Sequence, residues 1–169
     1  MRGILDNLYP VTEVERLGFE GYERLGSSRA YIWSRTLPLL KDTILLGHGP
    51  DTYAFYFPQN DVIGKLKFFN NPKMLVDKPH NLYLQIAVNT GLLSLLALLY
   101  LWVDYFVSSL ILYNNSDLSN WQNRLGIALL GAVAAYLVAG FFNDSVISVA
   151  PVFWILLGLG IALNSLVQE

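Results

Sequence analysis

The sequence predicts an all-α integral membrane protein in which a polar, largely helical region precedes three transmembrane helices. Hydrophobic residues make up 54% of the 169 residues and charged residues only 14%, whereas about a quarter of an ordinary soluble domain is charged. Ten of the eleven Lys and Arg residues lie between positions 2 and 78. The rest of the chain contains three long apolar segments, so a polar half and an apolar half are expected.

The three apolar segments run from about 91 to 113, from about 125 to 142 and from about 146 to 166. Each approaches the roughly 20 residues that a helix needs to cross a bilayer core of about 30 Å. Lipid offers no hydrogen-bonding partners, so each segment must satisfy its own backbone, as a helix does. The short polar links between them predict antiparallel helical hairpins. The alternative, buried helices of a soluble all-α protein, is disfavoured by three consecutive segments of this length.

The first half of the chain predicts short helices separated by turns. Ser27 and Ser28 are favourable N-cap residues ahead of apolar positions with helical spacing. Pro38 should kink that helix or set its end. The segment 47–50, Gly-His-Gly-Pro, predicts a tight loop. We therefore divide the chain into a loop region, 1–79, and a membrane region, 80–169, in which a helix from His80 leads into the first span.

The segment around His80 lies where the charged half becomes apolar. With Asp77 or Lys78 as N-cap and Pro79 in the first turn, His80 would open a helix, where the dipole disfavours a protonated imidazole. On a continuous helix Gly91 would return to the face of His80 about 16 Å further along the axis. That face could hold a lipid-linked substrate or form a helix–helix contact.

Four short motifs add a family resemblance. They are Ser28-Arg29 with Ile32-Trp33, Leu46-Gly47-His48-Gly49, His80-Asn81-Leu82-Tyr83-Leu84-Gln85 and Thr90-Gly91-Leu92-Leu93. Over about 25–165, the chain resembles the C-terminal portion of the O-antigen ligase and O-antigen polymerase family of bacterial envelope glycosyltransferases. The resemblance implies metal-independent transfer of a glycan from an undecaprenyl diphosphate carrier to an acceptor hydroxyl. It also implies a multi-pass protein of the cell membrane, with residues 1–79 extracytoplasmic.

The resemblance assigns roles to particular residues. His80 matches the family's histidine and would act as general base on the acceptor hydroxyl; the alternative is a structural histidine at the membrane boundary. Arg29 matches the loop arginine that would hold the diphosphate, unless it is a solvated helix arginine. Arg35 is a second candidate. On a helix Arg29 and Arg35 diverge by about 240°, so they would not share a face without a bend near Pro38.

Four weaker candidates complete the set. Gly91 would lie along the substrate, and Asp144 would bind sugar or orient His80, although a solvated turn explains Asp144 as well. His48 is more readily explained by loop shape than by substrate contact. Asp104, inside the first span, should face protein or a polar cavity, because a carboxylate facing lipid is costly.

Cofactors and metals are not expected: the chain has two histidines and no cysteine, and no carboxylate stands at ligand spacing from a histidine. A net charge of −2 gives no reason to expect nucleic acid. The expected partners are a lipid-linked glycan donor, a lipid or glycan acceptor, membrane lipids, and further N-terminal membrane helices or a partner subunit, since family members carry more spans than three. Two other functions stay open, a polysaccharide polymerase and a non-catalytic truncated membrane subunit.

Overall fold

A computed structural model describes residues 14–168, and all the regular secondary structure in that range is helical. The all-α prediction is confirmed. The elements are α1 (Leu25–Thr36), a 3-10 helix (Leu37–Asp42), α2 (Tyr53–Tyr56), α3 (Val62–Phe69), α4 (Leu82–Thr90), α5 (Leu92–Tyr113), α6 (Trp121–Ala139) and α7 (Ala150–Gln168). Packing divides the chain into two compact units, the first ending at Leu95 and the second beginning at Leu96.

The first unit is built around α1. A core of buried apolar side chains joins α1 to α2, to α4 and to the segment before α4; its members are Tyr31, Ile32, Tyr53, Phe57, Val76 and Val88. Two aromatic residues of α3, Phe68 and Phe69, pack on Tyr31 with ring centroids 5.1 and 5.2 Å away. Burial of the two rings fixes α3 against α1, and burial of Val76 in the core fixes the segment before α4.

The amino-terminal turn of α1 differs from the prediction. Ser27 and Ser28 were expected as N-caps, but both have left-handed backbone angles, with φ of 59° and 67°, after Gly26 at 60°. The Ser28 hydroxyl donates to the carbonyl of Phe68 at 3.0 Å instead of capping the helix. Right-handed helix therefore begins at Arg29. The predicted boundary near Pro38 is confirmed, because α1 ends at Thr36 and the 3-10 helix starts with this proline in its first turn.

A loop of residues 43–49, which we term the clasp, wraps around the joint between α4 and α5. Four backbone hydrogen bonds hold it there: Leu92 to Thr43 at 2.8 Å, Leu93 to Ile44 at 3.2 Å, His48 to Val88 at 2.8 Å and Gly49 to Asn89 at 2.9 Å, donor first. Two carbonyls of the clasp thereby accept hydrogen bonds from backbone amides in the first turn of α5. These amides have no partner within their own helix.

Two glycines allow the clasp to approach this closely. A Cβ on Gly47 would overlap the backbone of Asn89 and Thr90, and a Cβ on Gly91 would lie 2.8 Å from the carbonyl oxygen of Leu45. Gly91 also has a φ of 105°, a conformation that residues with a side chain rarely adopt. Backbone therefore packs on backbone where the longest helix begins.

The second unit consists of most of α5 together with α6 and α7. With α5 counted over its whole length, these are three helices long and apolar enough to cross a membrane, so the three predicted spans are confirmed. Their boundaries shift: the second begins four residues earlier than predicted, at Trp121, and the third four residues later, at Ala150.

A buried polar chain connects α5 and α7 within this unit. Tyr113 donates to the Asn164 side chain at 2.9 Å, and Asn164 donates to the Ser109 hydroxyl at 2.7 Å. The Tyr113 ring lies directly on Gly126 of α6, and Tyr105 lies on Gly160 of α7. Small residues in these two helices thus admit tyrosine rings of α5, which is how helices pack closely in lipid.

We expect Gly47→Ala to lower the free energy of unfolding by about 1–3 kcal/mol, the usual cost of adding a methyl group where there is no room. Gly131→Ala is the matched control, because a Cβ on this α6 glycine meets nothing within 4 Å and alanine favours helix. Thermal unfolding in detergent micelles measures both. Equal stability of the two variants would contradict the clasp geometry.

Candidate functional site

The helix after His80 begins two residues later than predicted. Its N-cap is Asn81, whose side chain accepts a hydrogen bond from the Leu84 amide at 2.9 Å. The predicted caps, Asp77 and Lys78, are wrong because the left-handed backbone of His80 interrupts any helix that starts before it, and Asn81 is among the strongest N-cap residues. His80 precedes the cap, with a φ of 49°, so it lies in the turn that enters α4 and outside the helix.

The predicted continuous helix from His80 to Gly91 is also wrong. Gly91 is the C-cap of α4, and α5 begins immediately after it at Leu92. The break follows from the positive φ of Gly91, which a continuous helix does not contain. The helix that carries Tyr83, Leu84 and Ala87 is therefore nine residues long and does not continue past Gly91. Burial raises the pKa of Tyr83, so this phenol stays protonated.

The chain leading to His80 is held at two points. Gln59 exchanges two hydrogen bonds with the backbone of Val76, donating to its carbonyl at 2.7 Å and accepting from its amide at 3.2 Å. The indole N–H of Trp33 donates to the carbonyl of Pro79 at 2.9 Å. Pro79 itself is fully buried. With Asn81 buried and capping α4, the backbone on both sides of His80 is fixed.

Arg29 lies on the same face of α1 as Trp33, because residues four apart are neighbours on a helix surface. Its Nη1 donates to the carbonyl of Gly26 at 3.1 Å, and its buried Nε has no hydrogen-bond partner. An unpaired buried donor is unusual in a folded protein and suits a charge-assisted bond to an anionic oxygen. The Trp33–Pro79 bond joins this face of α1 to the backbone just before His80.

Arg35 occupies a different environment. Its side chain is 6% exposed, its Nε pairs with Asp61 at 2.9 Å, and its guanidinium lies over the Tyr31 ring at 4.0 Å from the centroid. Tyr31 donates to the same carboxylate at 2.9 Å. Burial and the Asp61 charge raise the pKa of Tyr31 and keep this phenol protonated. The contacts describe a buried structural cluster; substrate binding by Arg35 stays a prediction.

The other candidates lie apart from these residues in the sequence. Gly91 is buried, with the Leu45 carbonyl in the space beside it. His48 stacks on Tyr56, with ring centroids 3.5 Å apart and planes 6° from parallel, as a loop-shaping role would require. Asp144 is half-buried in the α6–α7 link of the second unit. Substrate contacts by Gly91 and Asp144 stay predictions.

Three residues of the site were missed from the sequence as functional candidates. Asn81 could have been found, since Asn directly before an apolar run is an N-cap signal. Trp33 was part of a family motif but was given no role of its own, and Gln59 was not considered, because their bonds join residues 46 and 17 positions apart. Among residues 14–168, no group of three or more His, Cys, Asp or Glu side chains is placed to hold a metal ion.

Comparison with known proteins adds the family. The sequence profile of a family described as O-antigen ligase matches residues 3–99, which is more than half of the chain. The chain belongs to the O-antigen ligase family. The match starts earlier and ends earlier than the expected 25–165, and it contains Arg29, Arg35, His80 and Gly91 of this O-antigen ligase family member. No curated protein gives a significant match, and no solved structure does.

We expect Arg35→Gln to destabilise the first unit by about 3–5 kcal/mol, because it leaves the Asp61 carboxylate, whose side chain is only 13% exposed, without its ionic partner. Arg29→Gln is the matched control on the same helix. Its side chain bonds only its own turn in this structure, so we expect a cost within about 0.5 kcal/mol. Chemical denaturation measures both. A larger loss for Arg29→Gln than for Arg35→Gln would contradict the assignment of these two environments.

Proposed function

We propose that this chain is the glycan-transferring part of a multi-pass glycosyltransferase of the cell membrane, acting on an undecaprenyl diphosphate-linked glycan and an acceptor hydroxyl in envelope polysaccharide synthesis. Family membership supports the reaction class. The observation that carries the proposal is the Trp33–Pro79 hydrogen bond, because it joins the helix face of Arg29 to the backbone just before His80 inside the family-matched segment.

His80 is the general base in this proposal. A neutral imidazole nitrogen accepts the proton of the acceptor hydroxyl while the hydroxyl oxygen forms a bond to the anomeric carbon of the glycan. The bond from that carbon to the diphosphate oxygen breaks in the same process. The fixed backbone of Pro79 and Asn81 limits where the ring can lie, so little orientational freedom has to be lost in the transition state.

Arg29 stabilises the leaving group. As the glycosidic bond breaks, negative charge grows on the carrier diphosphate, and a planar guanidinium can form two parallel hydrogen bonds to phosphate oxygens. The unpaired Nε of Arg29 is the donor that supports this role, since its burial cost would be recovered when an anion binds. A preorganised charge of this kind lowers the barrier without reorganising at the moment of reaction.

The proposed topology places residues 1–79 on the extracytoplasmic side. Counting crossings from that side, the link between α5 and α6 is cytoplasmic and the link containing Asp144 is extracytoplasmic. Arg124, the single cation after residue 78, then lies near the cytoplasmic surface, where positive residues are favoured. Asp144 would share the side of His80, as a sugar-binding or orienting role requires.

Further membrane helices, in the same protein or in a partner subunit, belong to this proposal. Asp104 lies in the middle of α5 and is exposed in the described chain, so no protein among residues 14–168 covers it as the sequence predicted. At that depth a carboxylate facing lipid costs about 2.5–3.5 kcal/mol on insertion scales. A polar partner helix or a water-filled cavity at this face removes the cost.

We expect His80→Ala to lower glycan transfer about 10²–10⁴-fold, the usual contribution of a positioned general base, with an unchanged amount of protein in the membrane. His48→Ala is the control, because it removes the only other imidazole and leaves the His80 turn intact. Transfer of a labelled glycan in native membranes measures both. Equal activity of the two variants would make a non-catalytic subunit the better account.

A separate experiment distinguishes the ligase from the polymerase. Accumulation of unpolymerised single repeats after deletion of the gene would indicate a polymerase.

A further inference from the structure

Three consecutive aliphatic side chains project from the clasp. Ile44, Leu45 and Leu46 are 53%, 68% and 79% exposed, although the backbone of the same loop is held by hydrogen bonds and close glycine contacts. A rigid loop that exposes a run of large apolar residues is unusual on a surface that faces only water. These three residues are therefore candidates for a contact with an apolar partner.

The hydrogen bonds of the clasp determine how deep these side chains lie. The carbonyl of Ile44 accepts the amide of Leu93, and that of Thr43 accepts the amide of Leu92. The helix that starts there has 22 residues, a length of about 33 Å, which only slightly exceeds a hydrocarbon core of about 30 Å. Because α5 has almost no length to spare, its first turn must lie at the edge of the hydrocarbon, and so must Ile44.

We propose that Ile44, Leu45 and Leu46 insert into the bilayer beside the first turn of α5 and contact lipid acyl chains. The apolar surface is continuous with the spanning helix, because Leu93, bonded to Ile44 through its backbone, is itself 52% exposed. The inference depends on α5 crossing the membrane and is independent of glycan transfer.

Lipid contact at the clasp would also fix the distance between the His80 turn and the hydrocarbon region of the membrane. The clasp bonds the last turn of α4 through His48 and Gly49, and α4 begins one residue after Asn81, the N-cap that follows His80. An inserted clasp therefore anchors α4 at its carboxyl end, where α5 also begins. The nine-residue length of α4 then sets how far the His80 turn lies from the inserted loop.

The absence of cysteine from the 169-residue chain allows a direct test with this chain in phosphatidylcholine vesicles. Leu45→Cys is labelled with an environment-sensitive fluorophore, and Lys73→Cys, an exposed site in the turn after α3, is the control. Both replace exposed side chains, so the fold should be retained. We expect the label at 45 to emit at shorter wavelength and to lose emission in brominated lipid, and the label at 73 to be quenched by aqueous iodide.

Two results would overturn the proposal. Quenching of the label at 45 by iodide and not by brominated lipid would place the clasp in water. Protection from both quenchers would mean that protein, such as a further membrane helix, covers the three side chains. Neither quenching result depends on glycan transfer, so a failure here and a failure of the proposed reaction can be distinguished.

Discussion

The hydrogen bond from the Trp33 indole to the Pro79 carbonyl is the interaction on which the proposed site depends. Pro79 is fully buried, so its carbonyl needs a donor, and a buried acceptor without one costs about 1–3 kcal/mol. The indole is itself held, because the Phe19 ring meets it edge-on with centroids 5.8 Å apart. A helix that carries a cation with an unpaired N–H is thereby tied to the turn that carries the histidine. This bond therefore connects α1 directly to the backbone that precedes His80.

The second constraint is close packing of backbone at the beginning of α5. Gly47 and Gly91 each lie where a side chain would meet main-chain atoms of the opposite segment. The clasp supplies acceptors for the first amides of α5, which a helix cannot satisfy internally. Satisfying them matters most where the chain enters lipid, since no water is available there. The clasp therefore provides hydrogen-bond partners at two helix ends. Its amides donate to carbonyls in the last turn of α4, and its carbonyls accept from the first amides of α5.

Sequence reasoning recovered the helical fold class and the three long helices, because mean hydropathy over some 20 residues depends on no tertiary contact. It misplaced the start of α6, since Gln122, Asn123 and Arg124 are polar and were read as link, whereas Asn120 caps a helix that already contains them. It misplaced the cap of α4 because Pro79 was taken as a first-turn residue when Asn81 was the stronger signal. The Arg35–Asp61 pair, 26 residues apart, and the Trp33–Pro79 bond depend on tertiary packing, which no local pattern encodes. The candidate residues were therefore found by resemblance, and their connections only by structure.

The most direct test of the account is the kinetics of Trp33→Phe in native membranes. Phenylalanine keeps a six-membered aromatic ring against Phe19. It removes the five-membered part of the indole, which carries the N–H donor. The account predicts that kcat falls sharply while the KM for the lipid-linked donor is nearly unchanged, because His80 is displaced and donor binding at Arg29 is not. The loss in stability should be limited to about 1–3 kcal/mol for the buried carbonyl left without a donor. A kcat equal to that of the unmodified protein, in a variant shown to have lost the bond, would contradict the claim that this link positions the catalytic histidine.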